Sequence, residues 1–331
     1  MTPNRHRDFK LDICSVVLIL PLLVAPLLTE SPLLDSLSFQ IAIGVSATLA
    51  VYIMLRMGLL SFTVPAFMAF GAYAAAMLAK GGTTNLLLLM AISFLVPALI
   101  AVPLGAMVLR LKGIYFIFIT FVFNEILQLI IFETPTLTGG SDGISGVPPA
   151  TLFSLDLAGR AGIVLVPVVV CAAAMLCTLL VTQRFRAEFT SIEENETLAE
   201  SLGVAIWKYR TIGFVASAGV AGLAGFALAN MLATAHPSSF ASWSVINFIA
   251  YAFIGGRGTM LGVVAGSALL IVMNSIFSSY AQLSAGMNGV LLLVVMIAAP
   301  GGLVGTCVRL YGAAKTRVNG ALTAHVQEER A

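Results

Sequence analysis

Apolar stretches of helical length recur from Ile13 almost to Val308, separated by short polar links, and no other feature limits the fold of this chain so severely. A helix needs roughly 20 mostly apolar residues to cross a hydrocarbon core of about 30 Å. Hydrophobic residues make up 59% of the 331 and charged residues only 10%, with a mean hydropathy of +1.02. Soluble domains carry about 25% charged residues, so water cannot be the solvent for most of this surface. The pattern predicts an all-α, polytopic membrane helix bundle.

Ten spans are expected, at 13–30, 37–55, 59–79, 86–109, 113–132, 161–182, 211–235, 241–256, 259–279 and 286–305. Pro65 interrupts the third and the eighth is short. Both are therefore expected to be broken or half-spanning helices, which are tolerated where protein or a water-filled cavity satisfies the freed backbone groups. The first span follows Arg5, Arg7 and Lys10 like a signal peptide. No small-residue cleavage site comes after it, and it is read as retained.

Lys and Arg accumulate on the cytoplasmic side of membrane proteins. With the N-terminus inside, ten spans put 15 of the 17 Lys and Arg residues in the cytoplasm and only Lys80 and Arg160 outside. Adding or losing one span midway breaks that partition for every later link. The resulting division is an N-terminal cytoplasmic tail (1–12), a transmembrane domain (13–305) and a C-terminal cytoplasmic tail (306–331). The link 133–160 lies outside and the link 183–210 inside. If spans 1–5 and 6–10 are related halves, the odd number makes them inverted repeats.

The outer link carries Gly139, Gly140, Asp142 and Gly143 in a Gly- and Pro-rich run that favours turns over helix. The inner link carries the densest charge in the chain, including Glu188, Glu193, Glu194, Glu196 and Glu200. Ser191 to Leu202 contains no Gly or Pro, so a short helix ending near Gly203 is expected there, a natural docking surface.

Within the spans, Gly258, Gly262 and Gly266 fall every fourth residue and are assigned to close helix packing. Glu125, near the middle of span 5, is more demanding. An acidic side chain at a helix centre costs about 2.5 to 3.5 kcal/mol on insertion scales. With Asn124 and Gln128 it forms a polar seam that must face protein or water, as an interhelical hydrogen-bond clamp or as part of a pathway. Net charge of +2 with scattered basic groups excludes a nucleic-acid surface. The cysteines lack metal-ligand spacing, so no metal site, disulfide framework or cofactor is expected. No G-x-x-x-x-G-K-[ST] loop is present, so the chain shows no means of hydrolysing ATP itself.

Several segments resemble one family in order along the chain. They are Gly58-Leu-Leu-Ser61, Phe70-Gly-Ala-Tyr73, Asn124-Glu125-Ile126, Gly139-Gly-Ser-Asp-Gly-Ile-Ser-Gly-Val-Pro148, Glu194-Asn-Glu-Thr-Leu-Ala-Glu-Ser-Leu-Gly203, Gly255-Gly-Arg-Gly-Thr259 and Pro300-Gly-Gly-Leu303. Together the set is similar to the permeases of branched-chain amino-acid ABC importers, specifically the larger of the two channel subunits. The resemblance implies a bacterial inner-membrane subunit that forms half of a channel. A second homologous permease, two cytoplasmic ATPase subunits and a periplasmic substrate-binding protein are its implied partners. It further implies that Glu193, Glu194, Asn195, Glu196, Glu200 and Gly203 couple to the ATPase, and that the outer loop meets the binding protein. The chain departs from the family at Thr63-Val64-Pro65, Ile114, Glu193, Val263 and Ala299. Two other readings compete. A gradient-driven secondary transporter would use Glu125 as its coupling acid, and an intramembrane protease would use the G-x-S-G pattern at Gly143 to Gly146 with His236 as base.

Overall fold

Helix starts in this chain are written in its prolines and Asn85. The computed structural model describes residues 31–152, 155–156, 159–256 and 258–277, with Gly289 beyond them. Pro32 opens α1 (Pro32–Leu55) and Pro65 lies in the first turn of α2 (Val64–Lys80), where a missing N–H costs nothing. The expected interruption of span 3 by Pro65 is thus corrected: the proline starts the helix and leaves it only 17 residues long. The Asn85 carboxamide accepts from the N–H groups of Leu87 and Leu88 at 3.0 and 3.5 Å, capping α3 (Leu86–Val108).

After α4 (Ile114–Glu133) and the single turn α5 (Pro135–Thr138) the chain crosses again in α6 (Arg160–Arg184). Two short helices follow, α7 (Arg186–Glu194) and α8 (Glu196–Ser201), and then the long α9 (Ile206–Leu232). α10 (Ser244–Gly255) and α11 (Met260–Phe277) complete the described bundle.

Seven described helices are long and apolar enough to cross a membrane: α1, α3, α4, α6, α9, α11 and the stretch Pro237–Gly255 that contains α10; α2 is a shorter apolar helix. The chain is an all-α polytopic bundle. Expected spans 2 to 9 each coincide with one of these helices. Spans 1 (13–30) and 10 (286–305, apart from Gly289) and both tails lie outside the described residues. Taken alone, α10 has 12 residues, about 18 Å at 1.5 Å per residue, so it reaches roughly half-way across.

α9 occupies the centre, packed against α1, α2, α3 and α6. Its glycines permit this. A Cβ on Gly222 would meet the Ser93 carbonyl oxygen at 2.0 Å, and one on Gly225 would meet that of Met68 at 1.9 Å. Gly71 of α2 abuts the backbone of Gly222, so the two Gly- and Ala-rich segments cross each other at the core. Between α10 and α11 the approach is equally close: Gly262 lies against the carbonyls of Gly255 and Gly256, and Gly266 against that of Tyr251. Gly258 corrects the expectation of three glycines on one helix face. It sits in the turn before α11 with no atom within 4 Å of its would-be Cβ.

At the end of the bundle holding Lys80 and Arg160, two small two-stranded sheets stitch the links together. β1 (Ile144–Ser145) pairs antiparallel with β4 (Thr234–Ala235), and β2 (Thr151–Leu152) with β3 (Leu155–Asp156). Arg160 grips Asp35 with two hydrogen bonds of 2.6 and 3.1 Å, joining the starts of α6 and α1 at this same end.

Candidate functional site

Alternation of the helices gathers the other links at the opposite end, and with them seven of the nine described Lys and Arg residues: Arg56, Arg110, Lys112, Arg184, Arg186, Lys208 and Arg210. The acidic segment between α6 and α9 folds against this basic end. Its single expected helix (191–202) is corrected to two, because Asn195 is extended (φ −158°, ψ 103°) and its side chain accepts from the N–H of Leu198 at 3.0 Å. Asn gains more as an N-cap than inside a helix, since its side chain competes for backbone hydrogen bonds. At the far end, Gly203 holds φ +86°, the left-handed conformation that ends α8.

The inward face of α7 is apolar: Phe189 and Ile192 are buried, and Phe189 lies 6.1 Å from the Phe185 ring. Arg56, at the end of α1, donates to the Thr190 hydroxyl at 3.2 Å, and Gly58 lies against the backbone of Glu193. Glu196 is held by two cations. Its two carboxylate oxygens accept from Nη1 and Nη2 of Arg210 at 3.0 and 3.1 Å, and Lys112 adds its Nζ at 2.9 Å. Burial alone would raise the Glu196 carboxyl, but the hydrogen bonds and charges of Lys112 and Arg210 outweigh it and hold the group below its ordinary value. Of the six residues expected to couple to an ATPase, Glu194, Asn195, Glu200 and Gly203 are exposed, while Glu193 and Glu196 are half-buried. Sequence reasoning missed three exposed apolar side chains: Leu198 in α8, Leu202 at its C-cap and Trp207 in the first turn of α9. Their signal was large apolar side chains spaced among the charges of the link.

The polar seam of α4 is bound to the segment entering α10. Buried Asn124 donates through Nδ2 to the Ser242 hydroxyl, Ser242 donates to Oε1 of Glu125, and Gln128 donates to the Phe240 carbonyl. Asn124, Glu125 and Gln128 therefore share one partner segment, 240–242, which the sequence alone did not connect to them. Glu125 itself is exposed on the side of the bundle, on a helix that also exposes Phe118, Ile126 and Leu129. The arrangement serves as a hydrogen-bond clamp and also leaves a carboxylate on an otherwise apolar face.

The Gly-rich link after α4 is docked against the α9–α10 connection. A Cβ on Gly143 would strike the Ala235 carbonyl oxygen at 2.2 Å, and one on Gly139 would strike that of Gly143 at 2.1 Å; both have positive φ. Gly140 is buried and Asp142 faces outward. Ser145 lies in β1, His236 is engaged with Ser238 at 2.8 Å, and among the described residues no base is hydrogen-bonded to Ser145. That arrangement lacks the nucleophile–base pair a serine protease requires.

The family described as "Branched-chain amino acid transport system / permease component" matches residues 33–300. The high-affinity branched-chain amino acid transport system permease proteins LivM of Salmonella typhimurium and of Escherichia coli are each 27% identical over 270 residues, covering 74% of this chain and 64% of the relative. The chain thus spans less than two thirds of the length of these relatives. No solved structure matches. With its membrane-length helices and a family match running from α1 past α11, the chain is a multi-pass membrane protein that belongs to the branched-chain amino-acid transport permease family.

Proposed function

We propose that this chain is the transmembrane permease subunit of an ATP-driven importer for branched-chain amino acids or related small polar solutes. It forms half of the translocation channel beside a second, homologous permease. Two cytoplasmic ATPase subunits drive the pair, and a periplasmic binding protein supplies the solute. The observation that carries this reading is the pair of short helices α7 and α8, presented at the basic end of the bundle with Leu198, Leu202, Glu194 and Glu200 outward. A self-contained transporter does not require such a segment. A separate motor needs a surface to push on.

In this reading the chain lies in the bacterial inner membrane with ten spans and both termini in the cytoplasm. Residues 183–210 are the coupling loop, with Glu193, Glu194, Asn195, Glu196, Glu200 and Gly203 forming or shaping the ATPase contact. Residues 133–160, with Gly139, Gly140, Asp142 and Gly143, form the periplasmic platform that meets the binding protein. Asn124, Glu125 and Gln128 border the pathway. Reconstitution of the full complex in vesicles tests the proposal: radiolabelled leucine must accumulate only when ATP and the ATPase subunits are present. Labelling of residues 183–210 by an impermeant reagent from the periplasmic side would refute it.

One observation favours a second reading. The exposed Glu125 carboxylate in the middle of α4 is the group a gradient-driven secondary transporter would use for proton coupling. Uptake by the chain alone under a proton gradient, without ATPase, would establish that alternative and remove the first.

A further inference from the structure

The coupling loop divides into an outward and an inward face, and Glu196 is on the wrong one for a docking contact. Around α8, at 100° per residue, Leu198 and Leu202 lie about 200° and 240° from Glu196, on the opposite side of the helix. Those two leucines are exposed, whereas both oxygens of Glu196 are already taken by the Arg210 fork, with Lys112 sharing one of them. Drawing this carboxylate away onto a partner protein would break that network. It would also strand the Arg210 guanidinium, whose side chain is 8% exposed, without its counter-charge.

The partners of Glu196 lead into the bundle. Arg210 lies in the second turn of α9, the helix packed on α1, α2, α3 and α6. Lys112 lies in the link between α3 and α4, one residue before the Gly113 that caps α4, the helix carrying Glu125. The backbone of α8 is separated from α7 by the extended Asn195 and from α9 by Gly203 at positive φ, so its two peptide connections are both breaks in helical structure. Side-chain contacts, more than a continuous helix, fix α8 to the membrane domain.

We propose that Glu196 is the joint that transmits movement of α8 to the foot of α9 and to the α3–α4 link, and that it is a positioning residue and not a surface for the ATPase. This rests on the reading of α7 and α8 as the docking segment and goes beyond it by separating the residues that touch the motor from the one that passes the movement on. Leu198 and Leu202 take the push. Glu196 converts it into displacement of two membrane helices.

The test uses the assembled importer in vesicles with radiolabelled leucine, comparing Glu196→Gln, Arg210→Gln, the double variant and Lys112→Gln. Glu196→Gln and Arg210→Gln are each expected to lower leucine uptake about tenfold while ATP hydrolysis continues, so ATP consumed per leucine rises by about the same factor. The double variant is expected to be no worse than Glu196→Gln, because both remove one interaction. Lys112→Gln, at an exposed pair, loses about twofold or less. A Leu202→Cys probe must still cross-link to the ATPase in the Glu196→Gln background. Normal uptake in Arg210→Gln, or loss of the Leu202 cross-link on changing Glu196, would overturn the joint and make Glu196 a direct contact. Failure of Leu202→Cys to cross-link in the otherwise unaltered, active complex would instead remove the docking reading. Hydrogen exchange on the purified full chain gives a readout independent of the partners: Glu196→Gln must raise exchange at 206–210 and 109–113 together, and unchanged exchange at both sinks the proposal.

Discussion

α9 and α4 are both membrane-length helices of nearly equal hydropathy, yet 83% of an 18-residue apolar stretch of α9 is buried inside the bundle against 28% for α4. Side-chain volume separates them. Along α9 the sequence Ala216-Ser-Ala-Gly-Val-Ala-Gly-Leu-Ala-Gly225 lets neighbouring backbones approach to contact, whereas α4 begins Ile114-Tyr-Phe-Ile-Phe-Ile and continues with Phe121 and Phe123. In lipid no hydrophobic force favours one helix over another at the centre, because acyl chains are as apolar as leucine. Close packing and interhelical hydrogen bonds decide. α9 has the first in abundance, and α4 is held largely by the second, through Asn124, Glu125 and Gln128.

The comparison breaks most visibly if bulk is placed on α9. Gly225→Val drives side-chain atoms into the Met68 carbonyl and is expected to cost about 3 kcal/mol or more. Denaturant titration of the full chain in detergent would show it; a wild-type midpoint would mean that α9 is not the packed centre. At α4 the sensitive position is on its partner. Ser242→Ala removes a donor to Glu125 and the acceptor of Asn124 at once, and is expected to cost about 1 to 2 kcal/mol. Asn124→Ala, which removes one of those two bonds, should cost less in the same titration. The reverse order would show that the seam does not hold α4.

The feet of the two helices sharpen the contrast under acid. The Glu196 carboxyl is held below its ordinary value of 4.5, so its stabilising pairing with Arg210 in α9 is complete above that pH and is lost as pH falls through the lowered folded value. Protection factors for hydrogen exchange at 206–210 should therefore be flat from neutral pH to about 4.5 and fall below it, and in Glu196→Gln this step should vanish. Loss of protection already near neutral pH would contradict the sign. The smallest effect belongs to the exposed side of α4. Leu129→Ala is expected to change the stability of the isolated chain by less than about 0.5 kcal/mol, since the side chain is 63% exposed. A larger cost in the assembled importer than in the isolated chain would identify this face as one covered by a partner.

Legibility in the sequence followed the kind of interaction involved. Hydrophobic length located eight of the expected spans to within five residues of the helices found, and the Lys and Arg distribution along the chain matches the clustering of seven described basic residues at one end. Pro65 was misread because a proline suits a first turn as well as it breaks a helix interior, and only the position of the helix start separates the two. Gly258 was misread for a similar reason: its four-residue spacing from Gly262 has meaning only inside a helix, and α11 begins at Met260. Asn195 could have been found from its capping preference, which favours a break between Glu194 and Glu196.

By itself the sequence determined that this chain crosses a membrane many times, which links gather at the charged end, and that an acid sits in the middle of α4. These are properties of single segments against their solvent, and each segment carries them wherever it packs. Only the tertiary structure decided that α9 is central and α4 peripheral, that Ser242 and Phe240 answer the polar seam, and that Glu196 turns inward to Arg210 and Lys112 while Leu198 and Leu202 turn out. Such choices belong to pairs of surfaces. Shape and hydrogen-bond complementarity between residues far apart in the chain cannot be read from either partner alone.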